Sequence, residues 1–183
     1  MIEKYLIEHC SPTLASIKTA SLFSIKYSSE TELQKAIEYW NLSFSDKGVE
    51  LITLKKSEGC ALIYVCRKNK LSEDLNKIGV LEFLKNYGYK SADVDECIES
   101  LKLRLQSGDK FPHEIGIFLS YPLGDVIGFI ENAGQNSKCS GCWKVYYNEC
   151  EAVKAFAKYK KCKDVYMRLW KQGRSVQQLT VAA

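Results

Sequence analysis

At 183 residues with 46% apolar residues, the chain is long enough to close one hydrophobic core and short enough that two full domains are not expected. Its 26 basic residues against 22 acidic ones leave a formal charge of +4, far from the basic footprint of a dedicated nucleic-acid binder. No apolar run reaches the length needed to cross a bilayer, and Glu3 and Glu8 interrupt the N-terminus where a signal peptide needs an unbroken apolar segment, so a cytoplasmic protein with no membrane association is expected. In that reducing compartment the eight cysteines (Cys10, Cys60, Cys66, Cys97, Cys139, Cys142, Cys150 and Cys162) read as buried thiols, metal ligands or reactive groups rather than as a disulfide framework.

In chain order, Glu3 to His9 reads as a first helix, and Ser11-Pro12 supplies an N-cap and an N1 proline for a second helical turn through Ile17. Leu22 to Tyr27 has strand character, and Ser29 then caps an amphipathic helix carrying Leu33, Ile37 and Trp40. Val49 to Lys56 and Cys60 to Arg67 form a hairpin around Ser57-Glu58-Gly59, expected in the middle of a sheet. Ser72 caps a helix, Gly79 and Gly88 punctuate the next one, and Ser91 opens another whose Val94, Ile98, Leu101 and Leu105 recur at helical spacing. These helices are expected to cover the sheet. Ser107-Gly108-Asp109 places a glycine where that last helix should stop. Two more helices are started by Pro112 and Pro122 and split at Tyr121-Pro122. Gly134 to Ser137 is a polar loop, Trp143 to Tyr147 a last strand, and Asn148 caps a long helical region that ends before Gly173. The pattern predicts a single α/β domain over 1–183, with a mixed sheet of about four strands covered by helices.

The segment Phe111 to Asn132 holds one of the two histidines, His113, next to Glu114. A helix started at Pro112 puts both in its first turn, where free backbone N–H groups and the helix dipole disfavour an imidazolium and leave a neutral His113 able to act as base or ligand. Adjacent residues diverge by about 100° around a helix, so the two need not share a site. The simpler reading has His113 capping or packing at the helix start. The segment also matches a helix-turn-helix outline, yet its second helix offers no Arg, Lys, Asn or Gln before Asn132, which excludes sequence-specific DNA binding through it.

Cys139-Ser140-Gly141-Cys142 has the spacing to bring two thiolates onto one metal or into a redox pair. It precedes a strand rather than opening a helix, and a structural zinc site needs two further ligands. On one straight helix Cys150 and Cys162 stand roughly 18 Å apart, so both can join only if the helix breaks near Lys161 to Asp164. Cys10, before Ser11-Pro12, is the preferred nucleophile if a helix N-terminus favours its thiolate, with the adjacent His9 or, equally, His113 as its partner if the fold brings it close. Otherwise it is a small buried residue. Lys154, Lys158, Lys160, Lys161, Lys163 and Arg168, interleaved with Tyr159, Tyr166 and Trp170, fit a solvated basic face better than an RNA-binding one, because the apolar members recur at inner-face spacing.

Taken together, Ser11-Pro12-Thr13-Leu14 with Lys18, Phe111-Pro112-His113-Glu114-Ile115-Gly116, Tyr121-Pro122-Leu123, Asp125-Val126, Gly128-Phe129-Ile130 and Trp143-Lys144-Val145-Tyr146 resemble the domain of unknown function 3793 family. This is a bacterial, mostly clostridial family, and the resemblance spans nearly the whole chain. It implies a single-domain cytosolic protein of an anaerobe, and it nominates His113, Glu114, Tyr121 and Asp125 as members of a family motif. Ser120 stands where the family pattern implies a glycine. The resemblance supplies no activity.

The expected function is a small-molecule or cofactor-binding protein, with a thiol-dependent enzyme as one form that such a protein takes. Cys10 is the nucleophile or soft ligand, His113 the base, Glu114 its neighbour, Lys18 the anion-binding charge, and Tyr121 and Asp125 further ligand contacts. The competing expectations are a zinc, iron or redox module on Cys139 and Cys142, and a module that docks a protein partner through the Phe111 to Asn132 helices.

Overall fold

The computed structural model describes residues 2–107 and 110–182, which divide into two compact units. The first comprises Met1–Leu71 and Cys162–Ala183, the second Ser72–Lys161. Gly108, expected to stop a helix, lies outside the described residues.

In the first unit, strands β1 (Ala20–Lys26), β2 (Glu50–Ser57) and β3 (Cys60–Cys66) form an antiparallel sheet of order β1-β3-β2. The β2–β3 turn closes on Gly59 with φ 68°, a conformation that needs no Cβ. Phe23 pairs with Ile63 and Leu51 with Val65, and a bulge between Thr53 and Lys55 leaves Leu54 out of the ladder. Helices α1 (Ile2–Leu14) and α2 (Glu30–Ser43) supply Leu6, Ile7, Cys10 and Leu14, then Leu33, Ile37 and Trp40, to one core with Phe23, Ile25, Ile63 and Val65. The Ser29 hydroxyl accepts the Glu32 amide and caps α2, as its sequence predicts. On the edge strand, the Asn41 side chain donates to Leu51 O at 3.0 Å and accepts from Leu51 N at 2.7 Å, doing what a further strand would do at that position.

Arg67, fully buried just after β3, donates to Thr13 O, Leu14 O, Lys47 O and Val181 O at 2.7–2.9 Å. One guanidinium thereby ties the end of α1, the loop before β2 and the C-terminal segment, and these carbonyls satisfy donors that burial would otherwise leave costly.

The chain passes to the second unit within α3 (Lys68–Leu75) and returns within α8 (Glu149–Lys171). Between them lie α4 (Val80–Lys85), α5 (Val94–Ser107), α6 (Ile115–Phe118) and α7 (Leu123–Glu131), then a two-stranded antiparallel ribbon of β4 (Cys139–Ser140) and β5 (Lys144–Val145). Helix α9 (Val176–Leu179), in the first unit, is opened by a capping box of Ser175 and Gln178.

The α/β class is as expected, but both sheets are antiparallel, and the strands form a sheet of three and a separate ribbon of two rather than one mixed sheet of about four. The hairpin does not sit in mid-sheet: β3 is central and β2 is an edge. Helices α4 and α5, expected to cover the sheet, belong to the second unit. Three boundaries also differ. Helix α1 runs without a break through Ser11 and Pro12, whose buried ring and hydroxyl pack in its last turns, with Ser11 donating to Ile7 O. Helix α3 begins at Lys68, so Ser72 lies inside it, and Asp93 rather than Ser91 accepts the Glu96 amide at the start of α5. Among the described residues no helix is long and apolar enough to cross a membrane.

Candidate functional site

In the second unit the motif residues build a frame before they build a site. Asp125, in the first turn of α7 and 3% exposed, accepts from Trp143 Nε1 at 2.8 Å, Tyr146 N at 2.8 Å and Tyr147 N at 3.0 Å. Its carboxylate therefore holds the ribbon's second strand onto α7, the geometry of a charge-assisted acceptor for several N–H groups. The helix can come this close because it lacks two side chains: a Cβ on Gly128 would meet Tyr146 at 2.6 Å, and one on Gly124 would meet Tyr147 at 2.8 Å. At the other end of the ribbon Gly141 lies flat against Phe156, which meets Trp143 edge-on at 4.6 Å between centroids.

This frame fixes Trp143 so that it stacks on Tyr121 at 5.1 Å and 28°. Tyr121 also packs beside Gly116, where a Cβ would stand 3.1 Å from its ring. Burial, and then the charges of Cys142 and Tyr159, push the Tyr121 phenol up to about 12. Burial likewise raises Tyr159, with Cys142 and Asp74 adding to the shift. Asp74, Tyr121, Cys142 and Tyr159 are thus electrostatically linked, and Asp74 and Tyr121 line a cavity of about 360 Å³ with Lys77, Ile78, Leu123 and others. The cavity also takes in Ser120, which adopts φ 58° as the left-handed residue that ends α6, its N–H donating to Ile117 O at 3.0 Å and that of Tyr121 to Gly116 O at 2.9 Å. Ser120 is the position where the family resemblance implied a glycine.

A second cavity of this unit, about 510 Å³, opens beside Arg104, Lys90 and Tyr87. Behind it the carboxylate of Glu114, 1% exposed, pairs with Arg104 Nε and accepts from Tyr89 OH at 3.3 Å. The Arg104 guanidinium also donates to Tyr87 O at 3.1 Å and lies 5.3 Å from the Tyr87 ring centre. Glu114 is committed to this buried network, which raises Arg104 first through their hydrogen bond.

The other expected site residues are spread over both units. Cys10 and Lys18 lie in the first, His113 and Glu114 in the second. Cys10 lies inside α1 rather than at a helix N-terminus, is fully buried, and has its thiol pushed far up by burial, against smaller opposing effects of Lys18 and Ser21. That environment disfavours the thiolate that a nucleophile requires. His113 is exposed and stands between Phe111 at 6.0 Å and Phe129 at 5.0 Å, and the helix expected from Pro112 is only α6, beginning at Ile115. Cys139 is partly exposed and Cys142 exposed, and the ribbon ladder holds Cys139 and Ser140 extended, opposite Val145 and Lys144. Burial and Glu149 raise the Cys139 thiol. Among the described residues no three His, Cys, Asp or Glu side chains are grouped to hold a metal, and α8 has no break at Lys161 to Asp164.

Asp74, Lys77 and the ionisable role of Tyr159 were missed from sequence. A signal for the first existed: Leu71, Asp74 and Leu75 share one helical stripe, and a carboxylate in an apolar stripe is an anomaly worth pursuing.

A family model described as "Protein of unknown function (DUF3793)" matches residues 6–180. No curated protein and no solved structure is significantly similar to the chain.

Proposed function

We propose, for a chain that belongs to the DUF3793 family over residues 6–180, that it binds a small molecule or cofactor in the cavity beside Tyr121. The observation that carries this reading is the placement of Ser120, Tyr121, Pro122 and Leu123 together on the wall of an open cavity, with Ser120 held at φ 58°. This turn is the C-cap of α6, with the Ser120 N–H donating to Ile117 O and the Tyr121 N–H to Gly116 O, and it brings Tyr121, Pro122 and Leu123 onto the wall of an open cavity, the kind of concave and largely apolar surface on which small molecules bind.

A thiol-dependent reaction, the second half of the reading, moves from Cys10 to Cys142. This thiol is exposed and lies within electrostatic reach of Tyr121 and Tyr159. Burial raises both phenols, so they stay protonated at neutral pH. The setting we propose is the cytoplasm of an anaerobe, where an exposed thiol persists reduced.

The test is a ligand-observed NMR screen of a fragment library against the full chain, with amide shift mapping of the binders. Shifts confined to residues 74–80 and 117–123 support the reading. A library that produces no binders, or binders that map elsewhere, overturns it.

A further inference from the structure

Charge is unevenly placed along this chain. Between Lys154 and Arg174 stand eight basic residues and one acidic residue, Asp164, a local charge of +7, while the rest of the chain, with 18 basic and 21 acidic residues, carries −3. The modest total of +4 therefore conceals a polarised molecule. All eight of these cations are exposed. Among the described residues only Lys154 of the eight is ion-paired, to Glu151 at 2.8 Å.

Helix α8 is unbroken from Glu149 to Lys171, so the spacing of its cations is fixed within one element. At 100° and 1.5 Å per residue, Lys154, Lys158, Lys161 and Arg168 fall within a sector of about 80° and form a row roughly 21 Å long. The other side of the helix is occupied: Tyr166, Met167, Leu169 and Trp170 pack against the core of the first unit, and Phe156 meets Trp143. Like charges one turn apart, such as Lys154 with Lys158, repel and work against the helix. A face kept only for solubility mixes signs at these positions and gains from the pairs. A row of one sign, left almost unneutralised by the chain, fits a partner that brings the opposite sign at regular spacing.

The chemistry of the row selects the partner. Three of its four charges are lysines, compact cations that pair with phosphate but lack the planar fork with which arginine reads bases. The aromatic residues of α8 are all partly buried on its packed side, so none stands in the row to stack on an unpaired base. That same packing leaves α8 no free apolar face with which to enter a bilayer, the feature on which membrane-surface helices rely. A nucleic-acid duplex carries one phosphate per about 1.7 Å of its length, or roughly 12 beside such a row. B-form DNA sets these phosphates on both sides of a groove about 12 Å wide that admits an α-helix, whereas the same groove of an RNA duplex is deep and narrow.

We infer that the outer row of α8 binds double-stranded DNA along its phosphate backbone, through charge and without sequence preference. This contact does not depend on a ligand in the cavity beside Tyr121.

The experiment measures fluorescence anisotropy of labelled DNA duplexes of about 20 base pairs, in two unrelated sequences, titrated with the full chain. Equal affinities are expected, with dissociation constants of about 10⁻⁴ to 10⁻⁶ M at physiological salt. The logarithm of the affinity should fall against the logarithm of salt concentration with a slope of about −3.6, from four phosphates at about 0.9 each. Lys158→Gln with Lys161→Gln should reduce the size of that slope by about 2 and weaken binding at low salt by at least about tenfold. Lys35→Gln with Lys85→Gln, an equal loss of charge from exposed positions on α2 and α4, should change both little. Equal weakening by the two pairs shows that only net charge acts and overturns the inference. So does a clear preference between the two sequences, tighter binding of an RNA duplex of the same length, or no DNA binding at low salt. Binding to phosphatidylserine vesicles in place of DNA overturns it as well and makes the partner a membrane surface.

Discussion

Trp143 donates its indole N–H to Asp125 Oδ2 at 2.8 Å, while Asp125 Oδ1 takes the amides of Tyr146 and Tyr147. One carboxylate thus connects the first turn of α7 to the ring that backs Tyr121. Asp125→Ala leaves those N–H groups without their acceptor and is expected to destabilise the protein by about 2–4 kcal/mol. Asp125→Asn, which keeps an acceptor oxygen but loses the charge, should cost less. Urea unfolding of both variants checks the order, and equal costs would show that the carboxylate's charge contributes nothing.

The Arg104–Glu114 pair makes an asymmetric prediction. Glu114 is 1% exposed on its side chain and Arg104 35%. Arg104→Met strands a buried carboxylate, for which a loss of about 3–5 kcal/mol is expected. Glu114→Gln instead leaves a guanidinium that reaches water and still has Tyr87 O, so its cost should be smaller. Thermal unfolding that ranks the two the other way would contradict the burial of Glu114.

At Ser120 the backbone, not the side chain, decides the outcome. With φ 58°, Ser120→Gly removes the Cβ penalty and adds chain entropy to the unfolded state, effects of about 1 kcal/mol each that nearly cancel. Ser120→Val puts a β-branched residue in the left-handed region and should destabilise by at least about 1 kcal/mol. A glycine variant much less stable than the valine variant would mean that the serine hydroxyl matters more than its backbone.

The thiols should separate by exposure. Cys142 and Cys150 are exposed and should label with iodoacetamide in the native state, whereas Cys10, Cys66 and Cys97 are buried and should react only after unfolding. Fast native labelling at Cys10 would restore it as a nucleophile.

Cys97 also predicts a pH dependence. Burial, then Asp93 and Glu96, push its thiol from an ordinary 9.0 up to about 11. The folded state therefore favours the neutral form, so the stability this group contributes is complete below pH 9 and is lost as pH rises from 9 towards 11. The urea midpoint should fall over that range, and less steeply in Cys97→Ser, whose hydroxyl does not titrate and can keep the donor bond to Ser91 O. Identical slopes would remove Cys97 from the account.

What the chain pattern carried best was local. Ser29 before Leu33, Ile37 and Trp40, the glycine turn between β2 and β3, and Asn148 before α8 each depend on a few neighbouring residues, and each element is present. Pro12 misled because its usual place at a helix start is a preference of the isolated chain. Core packing around Leu6, Ile7 and Leu14 instead keeps α1 helical past it. Trp143 to Tyr147 does hold a strand, β5, but a shorter one that pairs in a ribbon, because apolar and aromatic residues serve a ribbon docked on a helix as well as a strand within a larger sheet.

The sequence by itself determined the α/β class, most of the helices, and the Phe111 to Asn132 and Trp143 motifs as the distinctive parts of the chain, because helical and strand periods and turn chemistry act over a few residues. Only the tertiary structure decided what those motifs do. It took Glu114 and Asp125 out of the pool of free ligands by surrounding them with donors, buried Cys10 inside a helix, and put Tyr121 on one cavity wall with Asp74 and within electrostatic reach of Tyr159. Whether a carboxylate, thiol or phenol is available for chemistry depends on its dielectric surroundings and on the groups that face it, and those come from packing across the chain rather than from neighbours along it.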